Sequence, residues 1–191
     1  MKKAVFLDRD GVINENVENL TKVSQFKLIS GAAEAIKKMN EAGYIVVVIT
    51  NQPIIAKGFC TFEEMENIHD KMKKLLAKKG AHIDRIYICP HHPEKGFPGE
   101  VPELKIDCSC RKPKPGLFLQ AIKELDINIK ESWSIGDSKS DVEASKKAGI
   151  RTIFLSLGGG SGAKHELELK DVKPDYIKKD LSEAVDFILS K

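Results

Sequence analysis

Polar side chains that could carry chemistry follow three short apolar segments of the sequence. Asp8 and Asp10 follow the first segment, Thr50 ends the second, and Asp137 follows the third. Carboxylates that meet at one rim repel one another unless a hard cation neutralises them, and Mg²⁺ takes carboxylate oxygens, waters and substrate phosphate as ligands. The pattern therefore predicts a Mg²⁺ site that serves phosphate chemistry.

The same residues have the types needed for phosphoryl transfer. A carboxylate beside Mg²⁺ can attack phosphorus and divide one difficult displacement into two easier ones, and Asp8 is placed for this role. Asp10, two residues further along an extended segment, points the same way and can protonate the leaving oxygen and later activate water. Thr50 and Asn51 can hydrogen-bond phosphoryl oxygens. Three basic residues are candidates for the cation that balances the transition-state charge: Arg111, Lys112 and Lys114.

A second group of residues has the composition of a zinc site. Four side chains fall in two tight pairs: Cys89 with His91, and Cys108 with Cys110. Three thiolates and an imidazole make a standard closed Zn²⁺ site, and a structural metal would order a loop that has little core of its own. His92 is an alternative to His91, and free thiols or a Cys108–Cys110 disulfide are alternatives to the metal. We expect Cys60 to be a small apolar filler.

The elements that must position these side chains alternate along the chain. Apolar segments rich in β-branched residues are predicted as strands: Ala4–Leu7, Tyr44–Thr50, Ile83–Cys89, Trp133–Gly136 and Thr152–Leu155. Segments with helical spacing of apolar residues lie between them: Ala32–Met39, Thr61–Lys79, Leu117–Leu125 and Val142–Ala148. This alternation predicts an α/β fold, a doubly wound (Rossmann-like) parallel sheet with helices on both faces. In such sheets ligands bind beyond the carboxyl ends of the strands, where the polar side chains stand.

Composition limits the class of protein. The 191 residues are 41% hydrophobic and 31% charged, which predicts a single domain spanning 1–191. The formal charge of +3 is not clustered, so nucleic acid is not an expected partner. The longest apolar run, Tyr44–Ile49, is far shorter than the roughly 20 residues that cross a bilayer. No secretion signal is visible and the cysteines are grouped beside a histidine, so we expect a cytoplasmic protein. A monomer is the default expectation for its assembly.

Irregular stretches cover 14–30, 90–115 and 158–174. The glycine-rich segment 156–164 has no assigned role.

Four motifs, in order between positions 6 and 141, resemble those of the haloacid dehalogenase (HAD) superfamily of phosphohydrolases. They are Phe6-Leu7-Asp8-Arg9-Asp10-Gly11-Val12, the strand-ending Thr50-Asn51, the lysine Lys112, and Gly136-Asp137-x-x-x-Asp141. The resemblance implies that Asp8 is the nucleophile and Asp10 the acid/base. It also implies that Thr50 and Lys112 hold the phosphoryl group. A second Asp in the first motif favours phosphatase over dehalogenase activity.

The superfamily pattern also implies a magnesium site. Its ligands would be the side chain of Asp8, the backbone carbonyl of Asp10 and the side chain of Asp137. Asp141 is expected in the second shell of the ion, although it could instead cap the helix that follows.

The cysteine pairs, followed at once by Arg111-Lys112-Pro113-x-Pro115-Gly116, are similar to the heptose 1,7-bisphosphate phosphatase branch of that superfamily. This branch shares its zinc loop with the histidinol-phosphate phosphatase domain. The resemblance implies a minimal cap, a structural Zn²⁺ on a loop of about residues 89–115, and a small phosphosugar substrate. Residues expected to contact the substrate are Asn16, Asn19, Asn51, Gln52, Arg111 and Ser138.

The activity implied by the branch is removal of the C7 phosphate in the synthesis of nucleotide-activated heptose. Histidinol phosphate is the alternative substrate, and a catalytically silent, zinc-stabilised binding module is the alternative from another class. One local departure concerns Pro53-Ile54, which stand where the branch usually has Ser-Gly. A stiff apolar turn there replaces a flexible one that bears a hydroxyl.

Overall fold

A computed structural model describes residues 1–157 and 169–191, and within them six strands form one parallel sheet. The strands are β1 Ala4–Leu7, β2 Ile45–Asn51, β3 Arg85–Cys89, β4 Trp133–Gly136, β5 Arg151–Leu155 and β6 Tyr176–Lys178. The helices are α1 Ala32–Glu41, α2 Phe62–Ala77, α3 Gly116–Leu125, α4 Lys139–Lys147 and α5 Leu181–Leu189. The strand order is β3-β2-β1-β4-β5-β6, so the predicted doubly wound α/β fold is confirmed.

Both faces of the sheet are covered by helices, which explains why its strands are continuous apolar runs. Val5 and Leu7 point to one face and pack in a core with α1, α2 and α5. Ala4 and Phe6 point to the other face and pack with α3 and α4. Because successive side chains of a strand alternate between faces, each residue of β1 has an apolar neighbour on its own side. The strand that carries the acidic motif is therefore held rigidly from both sides.

The structure adds two elements that the sequence analysis missed, β6 and α5. The signal for α5 was present, because its buried residues have helical spacing: Leu181, Ala184, Val185 and Ile188. Asp180 caps the helix by accepting a hydrogen bond from the backbone N–H of Glu183 at 2.9 Å. Helix α4 begins at Lys139, three residues before the predicted start, since Ser138 forms its cap.

The irregular stretches contain short 3₁₀ turns and long loops. Val23–Gln25 and Pro102–Leu104 are such turns, and the rest of the stretch 90–115 has no regular element. The glycine-rich segment 156–164 lies outside the described residues from position 158 onward. Among the described residues, no helix is long and apolar enough to cross a membrane.

Truncating a buried side chain of α5 should destabilise the fold. Ile188 is 2% exposed in the core, whereas its neighbour Leu189 is 41% exposed. Ile188→Ala should lower the free energy of unfolding by about 2 to 5 kcal/mol, because it removes buried methyl groups and leaves a cavity. Leu189→Ala, the matched control, should change it by less than about 0.5 kcal/mol. Urea denaturation measures both values, and equal losses would contradict the docking of α5 on the sheet.

Candidate active site and metal centre

The acidic motif lies at the centre of the carboxyl edge of the sheet. Strand β1 pairs with β2 on one side and with β4 on the other, and Leu7 is in register with Val48 and with Ile135. Asp8 therefore emerges between the end of β2, which carries Thr50, and the end of β4. The order of the strands reverses between β1 and β4, and this is where ligands bind in doubly wound sheets.

Lys112 is the buried cation of the site. Its Nζ donates hydrogen bonds to Asp8 Oδ1 at 2.8 Å, to Asp141 Oδ1 at 2.5 Å and to the backbone carbonyl of Ile49 at 2.8 Å. An ammonium group has three donors, and all three are used. Burial acts to lower the pKa of Lys112, but Asp141 and Asp8 raise it above its ordinary value. The lysine is therefore held in its charged form.

Three carboxylates crowd this lysine. Oxygens of Asp8, Asp137 and Asp141 lie within 4.8 Å of one another. Burial, together with the charges of Asp141 and Asp10, raises the pKa of Asp8 to about 7. Burial and the charges of Asp8 and Asp141 raise the pKa of Asp137 to about 8. The single positive charge of Lys112 does not offset the negative charges of three buried carboxylates, so a further cation is needed. Because the donors are all oxygen atoms, the site fits a hard divalent cation such as Mg²⁺.

Asp141 makes two kinds of contact, and the sequence analysis considered only the one at the start of α4. One carboxylate oxygen accepts from Lys112, and the other accepts from the backbone N–H and the hydroxyl of Ser138 at 3.1 and 2.6 Å. It therefore completes the capping box that Ser138 begins at the start of α4, and it also pairs with the lysine. Gly136 makes room for it, because a Cβ on this glycine would stand 2.3 Å from the Cβ of Asp141. The direct contact with Lys112 was not predicted.

Asp10 stands in a different electrostatic environment from Asp8. Its carboxylate accepts hydrogen bonds from Arg9, from Asn14 Nδ2 at 2.9 Å and from Gln52 Nε2 at 2.9 Å. Burial acts to raise the pKa of Asp10, but the Arg9 charge and these hydrogen bonds lower it below its ordinary value. Arg9 and Asn14 were missed by the sequence analysis. The available signal for Arg9 was a basic residue between two acids directly after a buried strand.

A cavity of about 180 Å³ opens in front of these groups. Its lining is polar throughout: Asp8, Asp10, Asn16, Thr50, Asn51, Lys112, Asp137, Ser138 and Ser140. Asn51 also fixes the loop of Lys112, since its side-chain amide accepts from Lys112 N at 3.0 Å and donates to Lys112 O at 3.1 Å. The structure thus brings most of the predicted site residues to one place.

Three predicted substrate contacts are not part of the cavity lining. Gln52 is buried, and its amide nitrogen donates to Asp10 and to Thr50 Oγ1 at 2.9 Å. Arg111 Nη1 donates to the carbonyl of His91 at 3.4 Å. Asn19 is exposed in a left-handed conformation with φ of 57°. None of the three lines the cavity around Asp8, so their contacts with substrate stay predictions.

The predicted zinc ligands also come together. One ligand atom from each of Cys89, His91, Cys108 and Cys110 lies within 4.8 Å of the others. The three Sγ atoms are 3.2 to 3.5 Å apart, and the cysteines are free, so no disulfide joins them. A tetrahedral Zn²⁺ with bonds of about 2.3 Å separates its sulfur ligands by about 3.8 Å, and the cluster fits such an ion after a small expansion.

Two neighbouring residues stand apart from this cluster. His92 faces the Phe97 ring at a centroid distance of 6.3 Å, so His91 is the histidine of the group. Cys60 is buried and packs with Ile54, Ile55 and Met65. Ile54 is one of the two residues that stand where the heptose 1,7-bisphosphate phosphatase branch usually has Ser-Gly. Its side chain lies in this small core. Packing thus explains the apolar residue at position 54.

Two curated bacterial enzymes are similar to the chain over most of its length. The D-glycero-alpha-D-manno-heptose-1,7-bisphosphate 7-phosphatase of Photorhabdus laumondii is 43% identical over 157 residues, which cover 82% of this chain and 84% of the relative. The D-glycero-beta-D-manno-heptose-1,7-bisphosphate 7-phosphatase of Pasteurella multocida is 43% identical over 160 residues, which cover 83% and 84%. A family model described as HAD-hydrolase-like matches residues 109–184.

A solved structure has the same architecture. The D,D-heptose 1,7-bisphosphate phosphatase from B. bronchiseptica, complexed with magnesium and phosphate, matches with a TM-score of 0.86 at 29% identity. The match covers 98% of each chain. The HAD-type fold that the motifs implied is thereby confirmed.

The crowded carboxylates should make stability depend on pH when divalent cations are removed. Asp8 and Asp137 have an ordinary pKa of 3.8 and folded-state values of about 7 and 8. Between these limits the folded state binds more protons than the unfolded state, so the free energy of unfolding falls as pH rises. The contribution is complete below about pH 4 and lost above about pH 8. The unfolding temperature in Mg²⁺-free buffer should fall between about pH 6.5 and pH 8, above the range in which the lowered pKa values of Asp10 and His69 oppose this effect, and Mg²⁺ should reduce the fall.

The variant Asp137→Asn tests the cause, because it removes one of the two raised groups. Its unfolding temperature should depend less on pH than that of the wild type. Asp70→Asn, a matched change at a half-buried acid on α2 that pairs with Lys73, should keep the wild-type dependence. If Asp137→Asn and Asp70→Asn gave the same profile, the carboxylate cluster would not be its source.

Proposed function

The chain belongs to the family of D-glycero-D-manno-heptose-1,7-bisphosphate 7-phosphatases, and we propose that it removes the C7 phosphate of a heptose 1,7-bisphosphate. One observation carries the chemistry: Asp8 lies at the carboxyl edge of the sheet, 2.8 Å from the charged Lys112, in a polar cavity that Asp10 also lines. A nucleophile, a cation and an acid/base in one cavity are the groups that hydrolysis of a phosphate monoester requires.

The proposed reaction has two steps. In the first, a carboxylate oxygen of Asp8 bonds to phosphorus as the bond from phosphorus to the C7 oxygen breaks, and Asp10 gives a proton to that oxygen. In the second, Asp10 takes a proton from water, whose oxygen bonds to phosphorus as the bond to Asp8 breaks. Phosphate leaves, and both aspartates return to their starting forms.

Other residues of the cavity are suited to hold the phosphoryl group. Lys112 brings its fixed positive charge next to Asp8, where negative charge accumulates on the phosphoryl oxygens. Thr50 and Asn51 supply polar side chains from the end of β2. We propose that Asp8, the backbone carbonyl of Asp10 and Asp137 would hold Mg²⁺, which supplies Lewis-acid stabilisation of the phosphoryl oxygens when bound.

The two aspartates have opposed environments in the free site, where the pKa of Asp8 is raised and that of Asp10 is lowered. Arg9, Asn14 and Gln52 keep the carboxyl of Asp10 ionised in the free site, because its pKa lies below its ordinary value. In this form Asp10 is a base. A dianionic phosphate entering the cavity would raise the pKa of Asp10 by repulsion and so favour the protonated form that the first step uses.

We further propose that residues 1–191 form one phosphatase domain whose loop of about 89–115 is ordered by Zn²⁺. The Cys₃His composition and the approach of its four ligand atoms within 4.8 Å support this metal. The loop carries Arg111 and Lys112 directly after the last cysteine, so the metal would fix the position of the catalytic lysine. Asn16, Asn19, Gln52, Arg111 and Ser138 remain proposed substrate contacts.

Heptose bisphosphate is favoured over histidinol phosphate, because the relatives reported above are named for the heptose. Their names include both the alpha and the beta anomer at the same 43% identity, so both anomers belong in a test. The complete set of motif residues around one cavity opposes a silent binding module. The phosphosugar substrate comes from the family resemblance. A cytoplasmic monomer, without nucleic acid or a membrane as partner, remains a prediction from the sequence.

Phosphate release from a substrate panel tests the proposed activity. The panel holds both anomers of heptose 1,7-bisphosphate, histidinol phosphate, and common hexose and triose phosphates, each assayed with Mg²⁺. One heptose anomer should exceed the other substrates by at least about a hundredfold in kcat/KM, or about 2.7 kcal/mol of discrimination. Broad weak activity, or a preference for histidinol phosphate, would contradict the assignment of the sugar.

Asp8→Asn serves as the blank of this assay and tests the nucleophile. It should lower kcat by about a thousandfold or more, because an amide does not form the covalent intermediate. Its unfolding temperature in the presence of Mg²⁺ verifies that the variant is folded. Substantial turnover by the pure, folded variant would remove Asp8 as the nucleophile.

Removing one thiolate tests the zinc site. The purified wild type should contain about one Zn²⁺ per chain, and Cys110→Ala should lose both the metal and thermal stability. Cys60→Ala is the matched control, since Cys60 is a buried cysteine that lies outside the cluster. Elemental analysis and thermal unfolding give the two readouts. A stable wild-type protein without metal would end the proposal.

A further inference from the structure

Arg9 is a fully buried arginine that connects the acid/base residue to a helix. Its Nε and Nη2 donate to the carboxylate of Asp10, with distances of 3.2 Å to Oδ1 from Nε and of 3.0 and 2.9 Å to the two oxygens from Nη2. Its Nη1 faces α2, where it lies 3.0 Å from Met65 Sδ and 3.2 Å from His69 Nε2. Met65 and His69 are one turn apart, so both project from the same face of α2.

The chemistry of the two side chains fixes the direction of the contact between Arg9 and His69. Burial and the neighbouring Arg9 charge lower the pKa of His69 to about 4, so its ring is neutral at pH 7. An arginine has donors only, and His69 Nε2 is therefore the acceptor. The ring proton then sits on Nδ1, which lies 3.8 Å from Glu66 Oε2. In this tautomer His69 receives a hydrogen bond from Arg9 and carries no charge that would repel it.

This arrangement fixes the orientation of the Asp10 carboxyl group. The planar guanidinium of Arg9 donates hydrogen bonds to both carboxylate oxygens of Asp10 from one side. Asn14 and Gln52 each donate to one of these oxygens. The guanidinium of Arg9 can hold Asp10 in one orientation only if its own position is fixed. Met65 and His69 supply that restraint within a buried space, where Arg9 is 0% exposed.

We propose that His69, acting through Arg9, is a positioning residue that aims the Asp10 carboxyl at the leaving oxygen of the substrate. The inference rests on the proposed role of Asp10 as the acid of the first step. Neither His69 nor Arg9 lines the cavity, so neither touches the substrate. Helix α2 thereby contributes to proton transfer although it carries no residue of the cavity lining.

The consequence depends on the leaving group. A sugar alkoxide is strongly basic and needs a proton as it departs, whereas p-nitrophenolate leaves without one. Since kcat/KM reports the steps up to the first irreversible one, misplacing Asp10 should lower kcat/KM for a sugar phosphate far more than for p-nitrophenyl phosphate. A loss of general stability or of active protein would lower both values by the same factor.

The experiment compares two substitutions of His69 on the preferred heptose bisphosphate anomer and on p-nitrophenyl phosphate. His69→Leu removes the acceptor and should lower the ratio of the two kcat/KM values, sugar over aryl, by about tenfold or more. His69→Gln places an amide oxygen near the position of Nε2 and should restore the ratio to within about threefold of the wild type. An unchanged ratio for folded His69→Leu, or the same loss for His69→Gln, would overturn the proposal.

Matched variants separate positioning from stability. Leu76→Ala removes a buried side chain two turns further along α2 and should lower the unfolding temperature without changing the ratio. If His69→Leu does not fold, Met65→Leu takes its place, because it removes the sulfur contact to Arg9 at similar volume. It should lower the ratio by about twofold or more, and an unchanged ratio would again overturn the proposal.

Asp10→Asn distinguishes this inference from the proposed function on which it rests. It should lower the same ratio by about a hundredfold, because it removes the acid itself. If Asp10→Asn left the ratio unchanged, the proposed role of Asp10 would fail. If Asp10→Asn lowered the ratio and His69→Leu did not, only the role of His69 would fail.

Discussion

The hydrogen bonds and ion pairs of the buried Lys112 ammonium hold together three parts of the chain that are distant in sequence. Its three hydrogen bonds reach the end of β1 through Asp8, the end of β2 through Ile49 and the start of α4 through Asp141. A buried ammonium without these partners would carry an uncompensated desolvation cost of several kcal/mol. The loop that bears Lys112 is therefore fixed by the same charges that the proposed chemistry uses.

Two aspartates separated by one residue illustrate how environment decides chemical role. Asp8 faces other acids and Lys112, and its pKa is raised to about 7. Asp10 faces Arg9 and two side-chain amides, and its pKa is lowered. In the proposed mechanism the positive charge beside Asp8 favours its ionised, nucleophilic form. Asp10 exchanges protons with the leaving oxygen and with water. The groups around Asp8 come from the end of β4 and from the loop that carries Lys112. The groups that set the environment of Asp10 come from the opposite side, from the turn after β1 and, through Arg9, from α2.

The cysteine cluster and the active site are two ends of one loop. Cys110 is two residues before Lys112, and the side-chain amide of Asn51 clamps the backbone of that lysine from β2. Binding of a metal by the four side chains would order the loop at one end while the ion pairs order it at the other. Stretch 90–115, which has little regular structure, would in this way be positioned by charge and, in the proposed zinc-bound form, by the metal.

The sequence alone determined the strands and helices that carry the motifs, because a strong apolar periodicity can be recognised without knowing how the side chains pack. It also determined the cluster at Asp8, since a parallel sheet brings its strand ends to one edge, and the Cys₃His group, since its four side chains fall in two tight pairs of zinc-ligand types. Only the tertiary structure decided how Asp141 pairs with Lys112, how Arg9 reaches His69 on α2, and that Gln52 is enclosed with Asp10 and Thr50. These contacts join residues far apart in the chain, and their distances depend on side-chain packing that no local pattern encodes.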